Sequence, residues 1–305
     1  MPYTPNAAAW DAVGLKFPHL TQQIVETPFD GFDMRTLLQY IGNNGTDRVV
    51  VPIESGCSTA TVDRVAEGAD CPWQTVPFVG EEIIAYKIGE GYPITHQMLQ
   101  YQQAPFIQQM ARHLSFKMRN TVNVDVMGAI NNGVPAANVV ATTGTTIGQD
   151  GTAYTIANTI GYNDLTTARR LLRQNFKGME NGQVVLLVNP IGIQGVERLP
   201  KFSDKNMYGK DGNINGLSGS VAGMQVIVSN NVPANLAFAI ATDPRSWRTG
   251  QHTPVGFWFE ARALDVLQRI VPQRDGTEVY SYWEYGVGIT YGEGIVRLNY
   301  AAVSS

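Results

Sequence analysis

The stretch ITHQMLQYQQAPFIQQMARHLSFKMRNTVNVDVMGAINN, residues 94–132, decides the fold. Within it Met110, Leu114, Met118, Val122, Val126 and Ala129 recur at helical spacing, and Gln108, Arg112, Arg119 and Asn123 fall on the opposite face. Thr95, preceded by Pro93, is the expected N-cap, and Asn132-Gly133 the expected end. Pro105 lies inside the pattern. It lacks a backbone donor and is expected to bend or divide the helix.

Working outward from this helix, the upstream chain has two parts. Residues 1–43 read as an irregular arm, because Pro2, Pro5, Pro18 and Pro28 interrupt any regular element. Only Met34-Arg-Thr-Leu-Leu-Gln-Tyr-Ile41 suggests a short helix, ended by Gly42. An arm with so little core of its own rests on something else. Residues 47–90 change character. Arg48-Val-Val-Val-Pro-Ile53 is a strand pattern, β-branched alternation continues through Cys57 to Val65, Glu67-Gly-Ala-Asp70 signals a turn, and Trp73 to Ile88 returns. This predicts a long two-stranded ribbon, and such a ribbon is marginal in water unless it lies on a neighbour. It holds 3 basic and 8 acidic residues.

Downstream, Val139 to Thr143 reads as a short strand and Leu165 to Phe176 as a second helix, capped by Asn163-Asp164 with Ala168, Leu171, Leu172 and Phe176 inward. Val184-Val-Leu-Leu-Val188 is the continuous apolar run of a buried strand, and Asn189-Pro190 ends it. Residues 201–220 are glycine-rich loop, with Lys201, Lys205 and Lys210. Met224 to Ser229 and Leu236 to Ile240 are further strands. Gly256 to Leu267 fits both helix and strand periods. Glu278 to Tyr300 reads as a β-hairpin through Gly286-Val-Gly-Ile-Thr-Tyr-Gly-Glu-Gly294. The class is α+β.

Composition constrains function. Charged residues are 16% of the 305, against roughly 25% in average globular proteins. Asn and Gln together number 38 and Gly 31, so polarity comes mainly from amides and backbone. Interface cores are depleted in charge, which suggests that much of the surface is contact with other subunits. A net charge of -4 argues against a binder that works through a large basic patch. The charge is uneven: residues 1–150 sum to -6 and residues 151–305 to +2. No run of 18 apolar residues predicts a membrane span, and Met1-Pro-Tyr-Thr-Pro-Asn6 lacks the pattern of a secretory signal.

Chemical motifs fail one by one. His19, His96, His113 and His252 form no metal-binding spacing, so no metal ligand is assigned. Cys57 and Cys71 have no nearby histidine. A turn at Glu67–Asp70 places Cys57 opposite about residue 80, which disfavours an in-chain disulfide. Gly216-Leu-Ser-Gly-Ser220 misses the nucleophile-elbow spacing. Gly286-x-Gly288-x-x-x-Gly292 misses the dinucleotide fingerprint, and Gly209-Lys210 is followed by Asp211 instead of a hydroxyl residue. Glu54 and Asp63 suggest glycosidase carboxylates only in the abstract, and the neighbours Glu81 and Glu82 point to opposite faces of a strand. Asn44-Gly45-Thr46 reads as a turn. No catalytic, cofactor-binding or metal residue is therefore predicted, and the reading is of a protein that is not an enzyme.

The order of arm, acidic ribbon, long helix and compact α/β region resembles the major capsid protein of tailed bacteriophages, the Hong-Kong-97-type fold. The resemblance rests on Tyr86-Lys-Ile-Gly-Glu-Gly-Tyr-Pro-Ile-Thr95 leading to Gln97-Met-Leu99, and on Asp125-Val-Met-Gly-Ala129 at the helix end. It rests also on Val184 to Pro190, Gly219-Ser-Val-Ala-Gly223, Val226 to Ser229, Val232-Pro233, and Tyr285-Gly-Val287 through Ile295-Val-Arg-Leu298. It implies an N-terminal arm (1–43), an extended loop (44–90), a peripheral domain with its spine helix (91–140), an axial domain (141–277) and closing peripheral strands (278–305). It implies a virion coat protein, assembled in the host cytoplasm, whose hexamers and pentamers close an icosahedral shell around double-stranded DNA held without sequence-specific contacts. Portal, scaffolding and decoration proteins are the implied partners besides the chain itself, with no cofactor and no membrane. Encapsulin nanocompartment shells share the fold and supply the alternative reading. Many relatives begin with a scaffolding segment that is later removed. Here the arm-like segment starts at Met1, so the expectation is a separate scaffold protein or a chain already trimmed.

Some relatives cross-link subunits through a lysine in the extended loop, whereas residues 44–86 contain none and Lys87 stands at its base. Assembled shells run on a denaturing, reducing gel are expected to give a single subunit band. A ladder that survives reductant would contradict this.

Overall fold

The computed structural model describes residues 32–42, 46–54, 78–95, 106–147, 153–155, 160–176, 183–197, 220–242, 255–271 and 276–300. The arm before Phe32, the ribbon tip with Cys57 and Cys71, and the Lys201–Lys210 loop lie outside the described residues.

Two sheets organise the molecule. The first has the order β1 (Gln39–Ile41), β12 (Gly256–Val271), β13 (Gly276–Ile289), β4 (Tyr86–Thr95). The long helix α1 (Phe106–Asn132) lies on one face of it. Leu114, Met118, Val122, Val126, Met127 and Ile130 of α1 are buried, as are Val279, Trp283 and Tyr285 at alternate positions of β13. A 3.6-residue stripe thus meets a two-residue alternation, each buried side chain contributing roughly 1.5–3 kcal/mol. The second sheet has six strands in the order β5 (Val139–Ala141), β14 (Ile295–Asn299), β11 (Leu236–Ala241), β8 (Val184–Val188), β10 (Met224–Val228), β9 (Ser220–Val221). All five residues of β8 are buried, as the unbroken apolar run demands of a central strand. Helix α2 (Tyr162–Asn175) covers this sheet with Leu165, Ala168 and Leu172. Between α2 and β9 runs the short helix α3 (Pro190–Glu197). Two two-stranded ribbons complete the fold: β2 (Arg48–Glu54) with β3 (Phe78–Ile84), and β6 (Thr145–Ile147) with β7 (Ala153–Thr155).

Several expectations are corrected. Thr95 ends β4 and does not cap α1. The helix is described over the 27 residues from Phe106, and Pro105, with the bend or division expected at it, lies outside the described residues. Met34–Leu37 is a 3-10 turn, and Gln39–Ile41 is a strand parallel to β12, because Asp33 caps only a single turn through the Arg35 backbone N–H. Gly256 to Leu267 belongs to one 16-residue strand. Glu278 to Tyr300 is no hairpin: β13 pairs with β12 and β4, whereas β14 joins β11 and β5 in the other sheet. Gly292, whose Cβ would stand 2.0 Å from the Gly133 carbonyl oxygen, is pressed against the end of α1 between the two strands. In the ribbon Gly80 pairs with Pro52, so the register differs from the one that put residue 80 opposite Cys57.

Amides and one carboxylate do internal work. Asn123 is buried, not on the exposed face of α1. Its Oδ1 accepts from Met34 N at 3.1 Å and its Nδ2 donates to Phe32 O at 3.0 Å, which clips the chain after the arm onto the helix. Asn138 donates to the carbonyls of Glu293 and Ile295 and accepts from Asn175 Nδ2 at 2.6 Å. Asp164, 4% exposed, accepts from Gly161 N (2.8 Å), Gly144 N (3.0 Å), Thr143 N (3.1 Å) and Thr143 Oγ1 (3.0 Å). Four donors from two loops converge on one helix N-terminus, where negative charge is favoured. Replacing Asp164 with Ala strands these donors. It is expected to cost about 2–4 kcal/mol and to lower the unfolding midpoint by on the order of 10 °C, read by calorimetry or denaturant titration.

Candidate assembly surfaces and the junction beneath them

The β2–β3 ribbon pairs from Arg48 opposite Ile84 to Glu54 opposite Phe78. Among the described residues no other strand pairs with it, so both of its edges are unpaired there. One face holds Arg48, Val50, Pro52, Glu82 and Ile84, all exposed. Val50 is 61% and Ile84 54% exposed, and Arg48 Nη1 bridges to Glu82 at 3.1 Å between them. On the other face Val79 is 56% exposed, and only Ile83, at the base, is buried. Glu81 and Glu82 lie on opposite faces, as strand geometry requires. Apolar side chains on an exposed ribbon edge with no core of its own need a covering partner.

The ribbon is seated at its base on glycines. A Cβ at Gly288 would stand 2.6 Å from Ile83 Cγ1, and one at Gly286 2.7 Å from the Ile84 carbonyl oxygen. The glycines that fail as a dinucleotide motif are thus the floor on which the ribbon rests. One residue further on, the backbone N–H of Ala85 donates to Asp47 O at 2.8 Å, and the chain passes into β4.

There Tyr86 pairs directly with Tyr285 of β13, their ring centroids 4.8 Å apart. Both hydroxyls donate to the same oxygen, Oδ2 of Asp125 on α1, Tyr86 at 3.0 Å and Tyr285 through a shorter bond. Burial is the main reason that both hydroxyls titrate high: Tyr86 is pushed up to about 12, and Tyr285, fully buried, also rises. Both stay protonated donors at neutral pH. Tyr285 stacks on Trp258 at 4.7 Å, and Trp258 meets Trp283 edge-on at 5.7 Å. Arg35 lies over both indoles, 5.6 and 5.1 Å from their centroids. It is bonded to Asp33, whose carboxyl it holds below the usual range. Glu260 accepts from Trp283 Nε1 at 2.7 Å and Tyr40 Oη at 3.1 Å. Lys117 of α1 bonds to Glu90 of β4. The end of the arm, the ribbon base, the long helix and the first sheet therefore meet in one junction.

Reading the sequence for catalytic motifs missed this junction. One signal was present: Asp125 is the single acidic residue in Phe106–Asn132. Among the described residues no group of three His, Cys, Asp or Glu side chains could hold a metal ion, and no helix is long and apolar enough to cross a membrane. The arrangement binds and orients chain segments.

A subunit with a projecting ribbon, a clipped arm and a long helix across a sheet is a shell-building unit in geometry. The comparisons agree. The sequence profile of the family described as phage capsid protein matches residues 80–298. The chain belongs to that phage capsid protein family. No curated protein sequence matches it. Among solved structures, the capsid of cyanophage P-SCSP1u is 13% identical with a TM-score of 0.71, covering 99% of this chain and 100% of that one. The capsid of a native GTA particle is 14% identical with a TM-score of 0.65, over 98% and 100%. A virus-like particle from Pyrococcus furiosus is 14% identical with a TM-score of 0.53, over 88% and 92%. The fold is the Hong-Kong-97-type capsid fold, and the protein is a structural component of a phage particle.

The two floor glycines should respond differently to substitution. Gly288→Ala meets only side-chain atoms of Ile83, so Ile83→Val is expected to recover part of its loss. Gly286→Ala meets a backbone oxygen as well, is expected to cost about 1–3 kcal/mol, and should not be recovered by Ile83→Val. Denaturant midpoints of the four variants check this.

Proposed function

We propose that this chain is the major coat protein of a tailed phage, forming hexamers and pentamers that close an icosahedral shell around double-stranded DNA, and that it has no catalytic activity. The observation that carries this is the β2–β3 ribbon, whose Val50, Ile84 and Val79 are exposed and, among the described residues, uncovered. Cover by neighbouring copies accounts for these side chains and for the low charge content together. In this reading residues 1–43 are the arm and 44–90 the extended loop. Residues 91–140, with β12 and β13, form the peripheral unit, and the six-stranded sheet with α2 forms the axial unit. Strand β14 goes with the axial unit, not with the closing peripheral strands, since it pairs with β11 and β5. Assembly takes place in the host cytoplasm, with scaffolding, portal and decoration proteins as partners. The match to a virus-like particle at a TM-score of 0.53 supports an encapsulin-like shell less well than the phage matches support a coat.

Gel filtration and negative-stain microscopy test the reading. Megadalton particles are expected, with nuclease-protected duplex in those from infected cells. A 33.3 kDa monomer under all conditions would overturn both shell readings. Closed particles that enclose protein instead of DNA would favour the nanocompartment.

A further inference from the structure

We infer that Asp125 is a positioning residue for the ribbon, acting through one permanent and one releasable tyrosine. The inference rests on the coat-protein reading for what ribbon movement serves, but not for the contact itself. The two donors on Asp125 Oδ2 differ in kind. Tyr285 is 0% exposed, sits in the middle of β13, and is packed by Trp258 and Trp283. It cannot leave without opening the core. Tyr86 is 44% exposed and stands one residue after the break between β3 and β4 at Ala85. Its hydroxyl can leave Asp125 for water without opening the core, and as the first residue of β4 after that break its setting is the one nearest the ribbon.

The consequence is thermodynamic. Asp125 is half-buried, and a carboxylate so placed is still poorly served when it loses its protein donors. Asp125 keeps Tyr285 in either ribbon position, and a released Tyr86 hydroxyl, already partly exposed, is taken up by water. Release therefore costs only the difference between one solvent-accessible charge-assisted bond and its hydrated partners. The opposite face of the pivot is the glycine floor, where Ile83 makes apolar contact with no directional preference. The hydroxyl bond is the directional element, so it selects one ribbon angle among those the floor permits.

Tyr86→Phe removes the hydroxyl and keeps the ring contact with Tyr285. Amide hydrogen exchange of the whole chain is then followed over residues 48–54 and 78–84, with β8 and β11 as internal reference. Tyr86→Phe and Asp125→Ala are each expected to speed ribbon exchange roughly two- to tenfold with the reference unchanged. Asp125→Asn keeps an oxygen in place and should restore most of the protection. Tyr86→Phe added to Asp125→Ala should change nothing further. Unchanged ribbon exchange in both single variants, additive effects in the double variant, or no rescue by Asp125→Asn would overturn the role of Asp125. Because exchange is read on unassembled chain as well, a failure to form shells would sink the coat reading and leave this test standing.

Discussion

Tyr285 is where the structure is held together. Its ring stacks on Trp258 and faces Tyr86, and its hydroxyl is spent on Asp125 of the long helix. That one side chain joins β13 to the helix above through Asp125, to Tyr86 at the start of β4, and to the indoles of Trp258 and Trp283. The arm's end is held at the same place, because Arg35 lies over the two indoles and Asn123 clips Phe32 and Met34 to the helix. Elements far apart in sequence share one aromatic block.

This explains the glycines of β13. A strand that carries Trp283 and Tyr285 on its buried side must also admit the ribbon base two residues later. Ile83 needs the space that a side chain at Gly286 or Gly288 would fill. The bulky half of β13 faces the helix, and the bare half accepts the ribbon. A second glycine device lies at the hairpin between β9 and β10, where Ala222 and Gly223 both adopt positive φ, 51° and 73°. The guanidinium of Arg169 on α2 fills the place of a Gly223 side chain and donates to Ala222 O at 2.8 Å.

The sequence made the class and the order of elements legible, and period explains why. The stripe Leu114, Met118, Val122, Val126 and the apolar run of β8 are unambiguous patterns, and both stand in the structure. What was illegible depended on partners distant in the chain. Gly256 to Leu267 mixes periods because β12 carries register shifts between Glu260 and Asp265. Glu278 to Tyr300 looks like a hairpin because adjacent strands usually pair, yet its halves serve two sheets. The amides read as surface polarity, and many are. Asn123, Asn138 and Asn189 are instead buried clips: the last donates to Val232 O at 2.7 Å and accepts from Ile191 N at 3.0 Å. An amide offers a donor and an acceptor with no charge to bury, so it can join two backbone segments inside a core at small cost. Low charge content thus has two sources, covered surface and neutral internal joints.

Such joints suit a subunit that must fit several neighbour geometries. Apolar contact is non-directional and tolerates sliding, as at Ile83 on its glycines. A hydrogen bond loses strength steeply with angle, so Tyr86 on Asp125 is either made or broken. Placing one of each at the same pivot yields a ribbon that can turn on a smooth floor but rests at a defined angle. A wholly apolar junction would leave the angle undefined. A wholly polar one would strand buried donors whenever the ribbon moved. The buried Tyr285 bond removes that penalty by keeping the carboxylate occupied, and so the polar half of the pivot can switch without disturbing the core beneath it.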